Sequence, residues 1–589
     1  MSRLKNVRFP VSAWLVAIGV LLLLLSPSLF LFCAPGMGTT KGGLVDAQLV
    51  IPVILLNALF LAAVLGISRR LWLGMLFLLP LLLWLPAEWF YLWKFGGATT
   101  AQSFGVIAET DAAEALSWIG KSGLVALALA ALWAIAMCGL VIQLRRAGAA
   151  WRHWSANVFG LLLPALIATS AAWGAHELSA DEVNFSSDDS AWHDMLDESR
   201  AGWTETLAAS YPLGMFVRAH DYWRHRHLLK EATLAGRPLH AKQLLSAVRR
   251  QVFVFVVGES LRADHLQVNG YPRETTPRLA ARNVVSLKDY VSASSSTRVS
   301  VPTYFVRPTE EPVPSGSLYL LLDGLREAGF RSYWLSTQAP FGRFDSPISV
   351  VARRADEVRF VNPGDYRQRG VYDDQLLAPL MQILARGEPR VFIVLHTLGA
   401  HADYRYRYPE PSAFFKPVLG SGRMSDPWDP AQREYQVNAY DNAVRYTDLF
   451  LDKIMGLLEQ QDAQTWLFYA SDHGETLFDG QCGQSGHGFP STPNHRAAVL
   501  FWYSTSYAAE HRDAIVNLRS HESLRSDYSA IMPTLLDLAD VRTPKIAAAA
   551  SLASSDYRAA EVRLVQPGGG RGIVDFDREL GGGDCAGSY

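Results

Sequence analysis

Charged side chains are scarce in the first 177 residues of this 589-residue chain. Of its 54 basic and 56 acidic residues, only 17 precede residue 178. The charged fraction is therefore roughly 10% before that point and roughly 23% after it, against a typical fraction of about 25%. This contrast excludes a uniformly water-soluble protein. It predicts a membrane domain over residues 1–177, followed by water-soluble parts.

The chain also lacks an excess of basic residues and has only four cysteines. Its net charge of -2 excludes a strongly basic nucleic-acid-binding protein, so we expect no nucleic acid among its partners. Cys33 and Cys138 lie in apolar stretches, whereas Cys482 and Cys585 lie in the charge-richer part. The sequence is compatible with one disulfide between the last two or with two free thiols. A low cysteine content does not identify the compartment.

Five apolar stretches have the length, about 20 residues, that crosses a bilayer. They cover residues 11–33, 47–67, 71–93, 121–143 and 155–175. Lys and Arg are concentrated before the first stretch, after the second and between the fourth and fifth, and such loops face the cytoplasm. The N-terminus is therefore expected inside and everything after the fifth stretch outside, which in a bacterium is the periplasm. The length of the first stretch and the four that follow disfavour a cleavable signal peptide.

Residues 251–548 are predicted to form a folded soluble domain, and two other segments flank it. Residues 178–250 form a polar connector with scattered aromatic, Arg and His side chains, a composition that favours a helix lying on the membrane surface. An ordinary linker helix is the alternative. Residues 549–589 are rich in Ala, Ser and Gly and predict an irregular tail, to which we assign no chemistry.

Short apolar runs alternate with helical stretches in residues 251–548, which predicts an α/β sheet with crossover helices. Residues 251–257 are typical of a strand buried on both faces, and similar runs cover 391–395 and 466–470. Sites in such sheets lie at the carboxyl ends of the strands. The polar residues that follow these runs are Glu259, His396, His401, Asp472 and His473.

Carboxylates and imidazoles gathered at one sheet edge suit Zn²⁺, with a further coordination position left for catalysis. A metal ion beside a hydroxyl group would create an activated nucleophile. Candidate hydroxyl groups lie in residues 292–300, and spacing alone does not choose among them.

Several runs resemble the bacterial phosphoethanolamine transferases. They are Gly258-Glu259-Ser260-Leu261-Arg262-Ala263-Asp264-His265, Asn269-Gly270-Tyr271, Thr275-Thr276-Pro277 and Asp472-His473-Gly474-Glu475. Members of this family are inner-membrane enzymes with five spans and a periplasmic catalytic domain. The resemblance implies an N-terminal five-helix transmembrane domain plus a C-terminal α/β domain of the alkaline phosphatase/sulfatase type. It also implies a monomer in contact with membrane lipids.

The resemblance assigns roles residue by residue. The implied zinc ligands, which include the nucleophile Thr297, are Glu259, Thr297, Asp472 and His473. Two histidines, His401 and His487, are implied to contact the transferred phosphate as catalytic residues. The implied substrate-binding residues, of which the first two would hold the donor headgroup, are Thr110, Glu114, His396 and Gln338. Zinc is the only cofactor that the resemblance implies.

Three features depart from the family pattern. Ala293 and Thr303 stand where the family often brackets its nucleophile with a disulfide. Val106 stands where the family often has Asn one turn before the headgroup Thr. The spacing from His473 to His487 is longer than in the lipid A enzymes.

The expected activity is transfer of phosphoethanolamine from phosphatidylethanolamine to lipopolysaccharide core or lipid A, through a phospho-threonine intermediate. Two alternatives stay open: a phosphoglycerol transferase that uses phosphatidylglycerol, and transfer to periplasmic glucan. A sulfatase is disfavoured, because Thr297-Arg298-Val299-Ser300 lacks the Cys/Ser-x-Pro-x-Arg context of those enzymes. A non-enzymatic sensor is disfavoured because every expected metal ligand is present.

Overall fold

A computed structural model describes residues 11–33, 50–95, 98–100, 103–104, 112–151, 154–161, 202–234, 236–244, 249–308, 318–338, 347–362, 372–420, 423, 425–568, 572–581 and 585. These residues form a group of long apolar helices, a pair of connector helices and an α/β domain built around a seven-stranded sheet.

The described N-terminal part contains four long helices: α1 (Val11–Cys33), α2 (Val50–Ser68), α3 (Leu71–Phe95) and α4 (Ala112–Ala147). Three stretches are long and apolar enough to cross a membrane, Val50–Ser68, Leu71–Trp93 and Leu127–Ala147, and Ile18–Phe32 is a shorter apolar helix. Large apolar side chains such as Ile51, Phe77 and Ile135 are exposed, as expected for a lipid-facing surface. An N-terminal membrane domain is thus confirmed. The fifth predicted span, 155–175, lies largely outside the described residues, so the number of spans stays a prediction.

The connector helices are α5 (Gly202–Ala209) and α6 (Leu213–Leu234), and the turn between them is anchored among α1, α2 and α3. The Asn57 side chain donates to Ser210 Oγ at 3.0 Å and accepts a hydrogen bond from the Leu213 N–H at 2.8 Å. Ser28 Oγ donates to the Tyr211 carbonyl at 2.9 Å, and the Tyr211 hydroxyl donates to the Leu81 carbonyl. Because all these polar groups are satisfied, the turn is stable inside the apolar bundle.

A buried ion pair joins α6 to α3. Arg218 Nη2 lies 3.1 Å from Glu88 Oε1, and the two side chains are only 2% and 1% exposed. Arg218 Nη1 donates to the Ala208 carbonyl, and Thr99 Oγ1 donates to Glu88 Oε2, both at 2.8 Å. These contacts offset part of the desolvation of both charges, and Arg218 Nε is buried without a hydrogen-bond partner.

The soluble domain is organised by a seven-stranded sheet. Its strands are β1 (Gln251–Gly258), β2 (Val285–Leu287), β3 (Arg331–Ser336), β4 (Glu357–Phe360), β5 (Arg390–His396), β6 (Gln464–Ser471) and β7 (Val499–Tyr503). They lie side by side in the order β2-β7-β6-β1-β5-β3-β4. Among these seven strands, β7 alone runs in the opposite direction to the other six, so its pairings with β6 and β2 are antiparallel. The predicted α/β sheet with parallel strands and crossover helices is confirmed.

Helices cover both faces of this sheet. In chain order they are α7 (Pro277–Ala281), α8 (Thr297–Thr303), α9 (Leu321–Glu327), α10 (Pro347–Ala352), α11 (Leu377–Leu384), α12 (Arg433–Glu459), α13 (Thr505–Glu510), α14 (Arg512–Ser520), α15 (Ile531–Leu538) and α16 (Phe576–Glu579). Alternate residues of β1 face opposite sides, so Val254 packs with α11 and α12, whereas Phe255 packs with α9 and α15. The strand is therefore buried on both faces, as its apolar run predicts.

Short two-stranded ladders surround the main sheet. The paired segments are Lys242–Gln243 with Val541–Arg542, Tyr290–Val291 with Ser526–Asp527, Val306–Pro308 with Leu318–Leu320, Thr476–Leu477 with Ser485–Gly486, and Leu564–Val565 with Val574–Asp575. The last of these ladders and α16 lie where the sequence predicts an irregular tail, and Val565 and Phe576 are buried there. A disulfide joins Cys482 to Cys585, which decides between the two alternatives for these cysteines.

We expect the Arg218→Met variant to lose about 3 kcal/mol of stability, because it leaves the Glu88 carboxylate buried without its partner. Thermal unfolding in detergent micelles measures this loss. The double variant Glu88→Gln/Arg218→Met should recover most of it, since both charges are then removed. A single variant as stable as the wild type would show that the pair does not hold α6 in place.

Candidate metal centre and active site

The parallel pairing of β1 with β6 brings the predicted metal ligands together. Gly258 is opposite Ser471 in this register, so Glu259 and Asp472 follow side by side at the carboxyl ends of the two strands. The Asp472 N–H donates to the Gly258 carbonyl at 3.1 Å and continues the pairing by one residue. His473 follows directly, and the three side chains converge on one point.

The converging atoms have the spacing of a metal site. One ligand atom from each of Glu259, Asp472 and His473 lies within 4.8 Å of the others, and all three residues are buried. His473 Nε2 lies 3.5 Å from Glu259 Oε1 and 3.3 Å from Asp472 Oδ2. Thr297, the first residue of α8, places its hydroxyl oxygen 3.2 Å from both Glu259 Oε2 and His473 Nε2. The structure thus singles out Thr297 among the hydroxyl groups of residues 292–300 as the one beside the cluster.

The hydrogen bonds of this cluster leave donor atoms available for a cation. His473 Nδ1 donates to the Gly474 carbonyl at 2.7 Å, which leaves Nε2 with a free lone pair toward the carboxylates. Asp472 Oδ1 accepts hydrogen bonds from the backbone N–H groups of Ser260 and His473, whereas Oδ2 is buried without a hydrogen-bond partner. An orphaned carboxylate oxygen beside a free imidazole nitrogen fits a divalent metal ion.

The electrostatics of the cluster point to the same occupant. Burial raises the pKa of the Glu259 carboxyl well above its usual range, and the neighbouring Asp472 carboxylate raises it further. Burial also raises the pKa of Asp472 and lowers the pKa of His473 to about 3, so the imidazole is neutral. A neutral imidazole is the form that ligates metals, and a bound cation would stabilise both carboxylates as anions.

Glu259 is held in place by its neighbour Ser260 and by two other segments of the chain. Gln338, which follows β3, donates from Nε2 to Glu259 Oε2 at 3.2 Å and to the Thr397 carbonyl at 3.0 Å. Ser260 Oγ donates to Glu259 Oε1 at 2.8 Å. Gly399 has a φ of 47°, and a Cβ there would lie 2.6 Å from the Glu259 carbonyl oxygen, so only glycine allows this close approach. The predicted residue Gln338 therefore borders the site by orienting a metal ligand.

Two further histidines extend the site beyond the metal ligands. The ring centres of His473 and His487 lie 4.3 Å apart, and those of His487 and His401 lie 5.8 Å apart. His401 Nδ1 donates to the Ala402 carbonyl at 2.6 Å. The structure thus places His487, predicted as a catalytic residue, beside the proposed ligand His473, and His401, predicted likewise, beside His487.

The sequence-based assignments miss Glu475. This buried carboxylate accepts a hydrogen bond from the Tyr404 hydroxyl at 2.6 Å through Oε1 and contacts His487 Nδ1 at 2.8 Å through Oε2. It therefore orients His487. Its position in the run Asp472-His473-Gly474-Glu475, two residues after the predicted ligand His473, is the sequence feature that could have identified Glu475 as a site residue.

The His396 side chain is buried at the carboxyl end of β5. It is 1% exposed, its Nδ1 lies 3.3 Å from Ser336 Oγ, and its ring contacts Trp334. Its role in substrate binding stays a prediction. Thr110 and the side chain of Glu114 lie outside the described residues, so the donor-headgroup site stays a prediction.

Residues 251–541 match the sulfatase family, so the domain that carries the cluster is a sulfatase-family domain. Phosphoethanolamine transferase EptA of Escherichia coli K12 is 30% identical over 372 residues, which cover 61% of this chain and 66% of that protein. The zinc complex of the periplasmic domain of EptC from Escherichia coli is 24% identical, with a TM-score of 0.53 over 60% of this chain and 100% of that domain.

The likeness extends to the membrane part of a solved structure. The integral membrane protein lipooligosaccharide phosphoethanolamine transferase A from Neisseria meningitidis has a TM-score of 0.62 and covers 92% of this chain and 98% of its own, at 20% identity. Its fold is therefore shared over both domains. The chain belongs to the phosphoethanolamine transferase family.

We expect the metal-free full-length chain to gain about 4 kcal/mol of stability when Zn²⁺ is present at about a thousand times its dissociation constant. The Glu259→Gln variant should lose this gain, because it removes a ligand oxygen. Asp264→Asn is the matched control, since the Asp264 side chain is half exposed and pairs with Arg262. Thermal unfolding with and without the metal measures the effect. An equal gain in Glu259→Gln would show that the cation binds elsewhere.

Proposed function

We propose that this protein is a zinc-dependent phosphoethanolamine transferase that moves phosphoethanolamine from phosphatidylethanolamine to a cell-envelope glycolipid. The observation that carries the proposal is the placement of the Thr297 hydroxyl 3.2 Å from both Glu259 and His473 in a cation-binding cluster. The zinc complex of the related EptC domain supports the choice of metal. A bound Zn²⁺ would supply Lewis acidity and lower the pKa of a nearby hydroxyl group.

The first half-reaction uses Thr297 as the nucleophile. Its Oγ attacks the phosphorus of phosphatidylethanolamine, and the bond from phosphorus to the glycerol oxygen breaks. Diacylglycerol leaves and takes the proton that Thr297 releases, so the chain carries a phosphoethanolamine ester on Thr297.

The second half-reaction transfers the group to the acceptor. An acceptor hydroxyl or phosphate oxygen attacks the same phosphorus, and the bond to Thr297 Oγ breaks, which restores the hydroxyl. His487 lies beside His473, and His401 lies beside His487. From there, the two imidazoles can bind the phosphate oxygens and exchange protons with the entering and leaving oxygens. Glu475 keeps His487 oriented for this role.

The membrane domain gives the site access to lipid substrates. We infer a bacterial inner-membrane protein whose catalytic domain lies in the periplasm, with Thr110 and Glu114 holding the donor headgroup. The contact between Tyr222 of α6 and Arg298, whose guanidinium carbon lies 5.6 Å from the ring centre, joins the connector to the nucleophile helix. Lipopolysaccharide core and lipid A are the proposed acceptors, in keeping with the lipooligosaccharide named for the Neisseria relative. We expect the protein to act as a monomer.

The Thr297→Ala variant should form no covalent intermediate, because the attacking oxygen is missing. Mass spectrometry of the full-length protein incubated with headgroup-labelled phosphatidylethanolamine measures the added phosphoethanolamine. Ser300→Ala is the matched control, since Ser300 lies on the same helix and bonds to Ser294 rather than to the cluster. Equal labelling of Thr297→Ala and the wild type would assign the nucleophile to another residue.

The donor should be selected by its headgroup. Vesicles that contain phosphatidylethanolamine should label Thr297, whereas vesicles with phosphatidylglycerol alone should not, since the proposed Glu114 carboxylate attracts an amine. The mass of the adduct distinguishes phosphoethanolamine from phosphoglycerol. An adduct with the phosphoglycerol mass would instead make the protein a phosphoglycerol transferase.

A further inference from the structure

We propose that the C-terminal extension positions the nucleophile. The extension is defined here as residues 563–568, 574–581 and Cys585, and the two loops it contacts are the nucleophile loop, residues 292–297, and the His487 loop, residues 482–488. The proposal rests on the proposed role of Thr297. It goes beyond that role because the extension lies outside residues 251–541, which match the sulfatase family.

The extension forms hydrogen bonds with the nucleophile loop. The Gln566 N–H donates to the Ala293 carbonyl at 2.8 Å, and the Ser295 N–H donates to the Gln566 carbonyl at 3.4 Å. Ser295 Oγ also donates to the Pro567 carbonyl at 2.9 Å. Ser295 is fully buried and lies two residues before Thr297, so these bonds fix the backbone that leads into the nucleophile.

The two loops are also bonded to each other, and the extension packs against both. The Gly488 N–H, next to His487, donates to the Ser295 carbonyl at 3.0 Å. Gly568 packs against both loops, since a Cβ there would lie 2.5 Å from the Gly488 carbonyl oxygen and 2.8 Å from Ser295 Oγ. The backbone of Gly568 has a φ of 80°, a conformation that residues with a side chain rarely adopt. The extension therefore holds the loops of Thr297 and His487 against each other.

Buried charge and apolar contacts anchor the extension to the domain. The Arg563 side chain is 2% exposed and pairs with Asp289 at 2.6 Å and with Asp577 at 2.5 Å. Val291, which leads into the nucleophile loop, shares a small buried apolar cluster with four residues of the extension, Val565, Val574, Phe576 and Leu580. The disulfide from Cys585 to Cys482 adds a covalent link to the start of the His487 loop.

These contacts add to the hydrogen bonds that Ser292 and Ser300 make to Ser294 of the nucleophile loop. Ala293 and Thr303 cannot form a disulfide across the nucleophile. The Ala293 carbonyl is instead bonded to Gln566, so the extension restrains the loop from outside. A displacement of about 1 Å in a reacting group reduces a rate by up to about a hundredfold, so restraint of Thr297 would act on kcat.

The test compares Gly568→Ala with Gly420→Ala in the full-length protein. The first variant pushes a methyl group into both loops, whereas the second places one in open space outside the extension and both loops. We expect Gly568→Ala to lower kcat for phosphoethanolamine transfer at least about tenfold with KM changed less than about twofold, and Gly420→Ala to leave both near wild type. Hydrogen exchange of the peptides that contain Ser295 and Gly488 should be faster only in Gly568→Ala.

A second variant, Cys482→Ser/Cys585→Ser, removes the covalent link without adding bulk, and it should speed exchange of the His487 loop and lower kcat. Faster hydrogen exchange of both loops with an unchanged kcat in both variants would overturn the proposal. Hydrogen exchange of the two loops that stays at the wild-type rate in both variants would also overturn it. Exchange is measured without substrate, so it reports on the extension even if the wild-type protein transfers no phosphoethanolamine. Absence of transfer by the wild type would reject the proposed function instead.

Discussion

The site depends on the register in which β1 pairs with β6. Parallel pairing places Gly258 beside Ser471, so the residues that follow them, Glu259 and Asp472, also lie side by side. A shift of one residue would turn each side chain to the opposite face of the sheet, which would separate Glu259 from Asp472. Stacked aromatic side chains from both strands, Phe253 and Trp466 with ring centres 4.7 Å apart, oppose such a shift. The apolar core of the sheet thus sets the geometry of its most polar residues.

Helix α6 links the membrane bundle to the nucleophile helix. Arg218 and Tyr222 are four residues apart and therefore lie one turn apart on the same face of this helix. Arg218 pairs with Glu88 of α3, and Tyr222 contacts Arg298, the residue after Thr297. A second contact joins the two domains, since the ring of Phe90 on α3 meets that of Trp428 edge-on at 6.3 Å. The α/β domain is therefore docked onto the apolar helix bundle.

The alternation of apolar runs and helices was sufficient to predict the α/β sheet and the strand ends at which Glu259 and Asp472 lie. The choice of Thr297 needed the family resemblance, because six hydroxyl groups in one short segment have no distinguishing local pattern. The same strand-end rule locates His396 at the edge of the sheet but does not say which way its ring turns, and the structure shows that the ring contacts Trp334.

The Ala, Ser and Gly content of residues 549–589 concealed an ordered structure. Average composition does not reveal that a few apolar residues, among them Val565 and Phe576, are buried against Val291. The partner of Cys482 was equally undetermined, because Cys585 is 103 positions further along the chain and the distance between the two in space depends on how the residues between them fold.

The bond between these two cysteines also relates the site to the synthesis and export of the chain. Cys585 is synthesised after all of residues 251–541, so the bond cannot close until the sulfatase-family domain has left the ribosome. A reducing cytoplasm keeps thiols free, and an oxidising periplasm allows them to pair. In a protein whose soluble domain is exported, this bond forms only after translocation. For the proposed periplasmic domain, the covalent link beside His487 is therefore completed only after translocation.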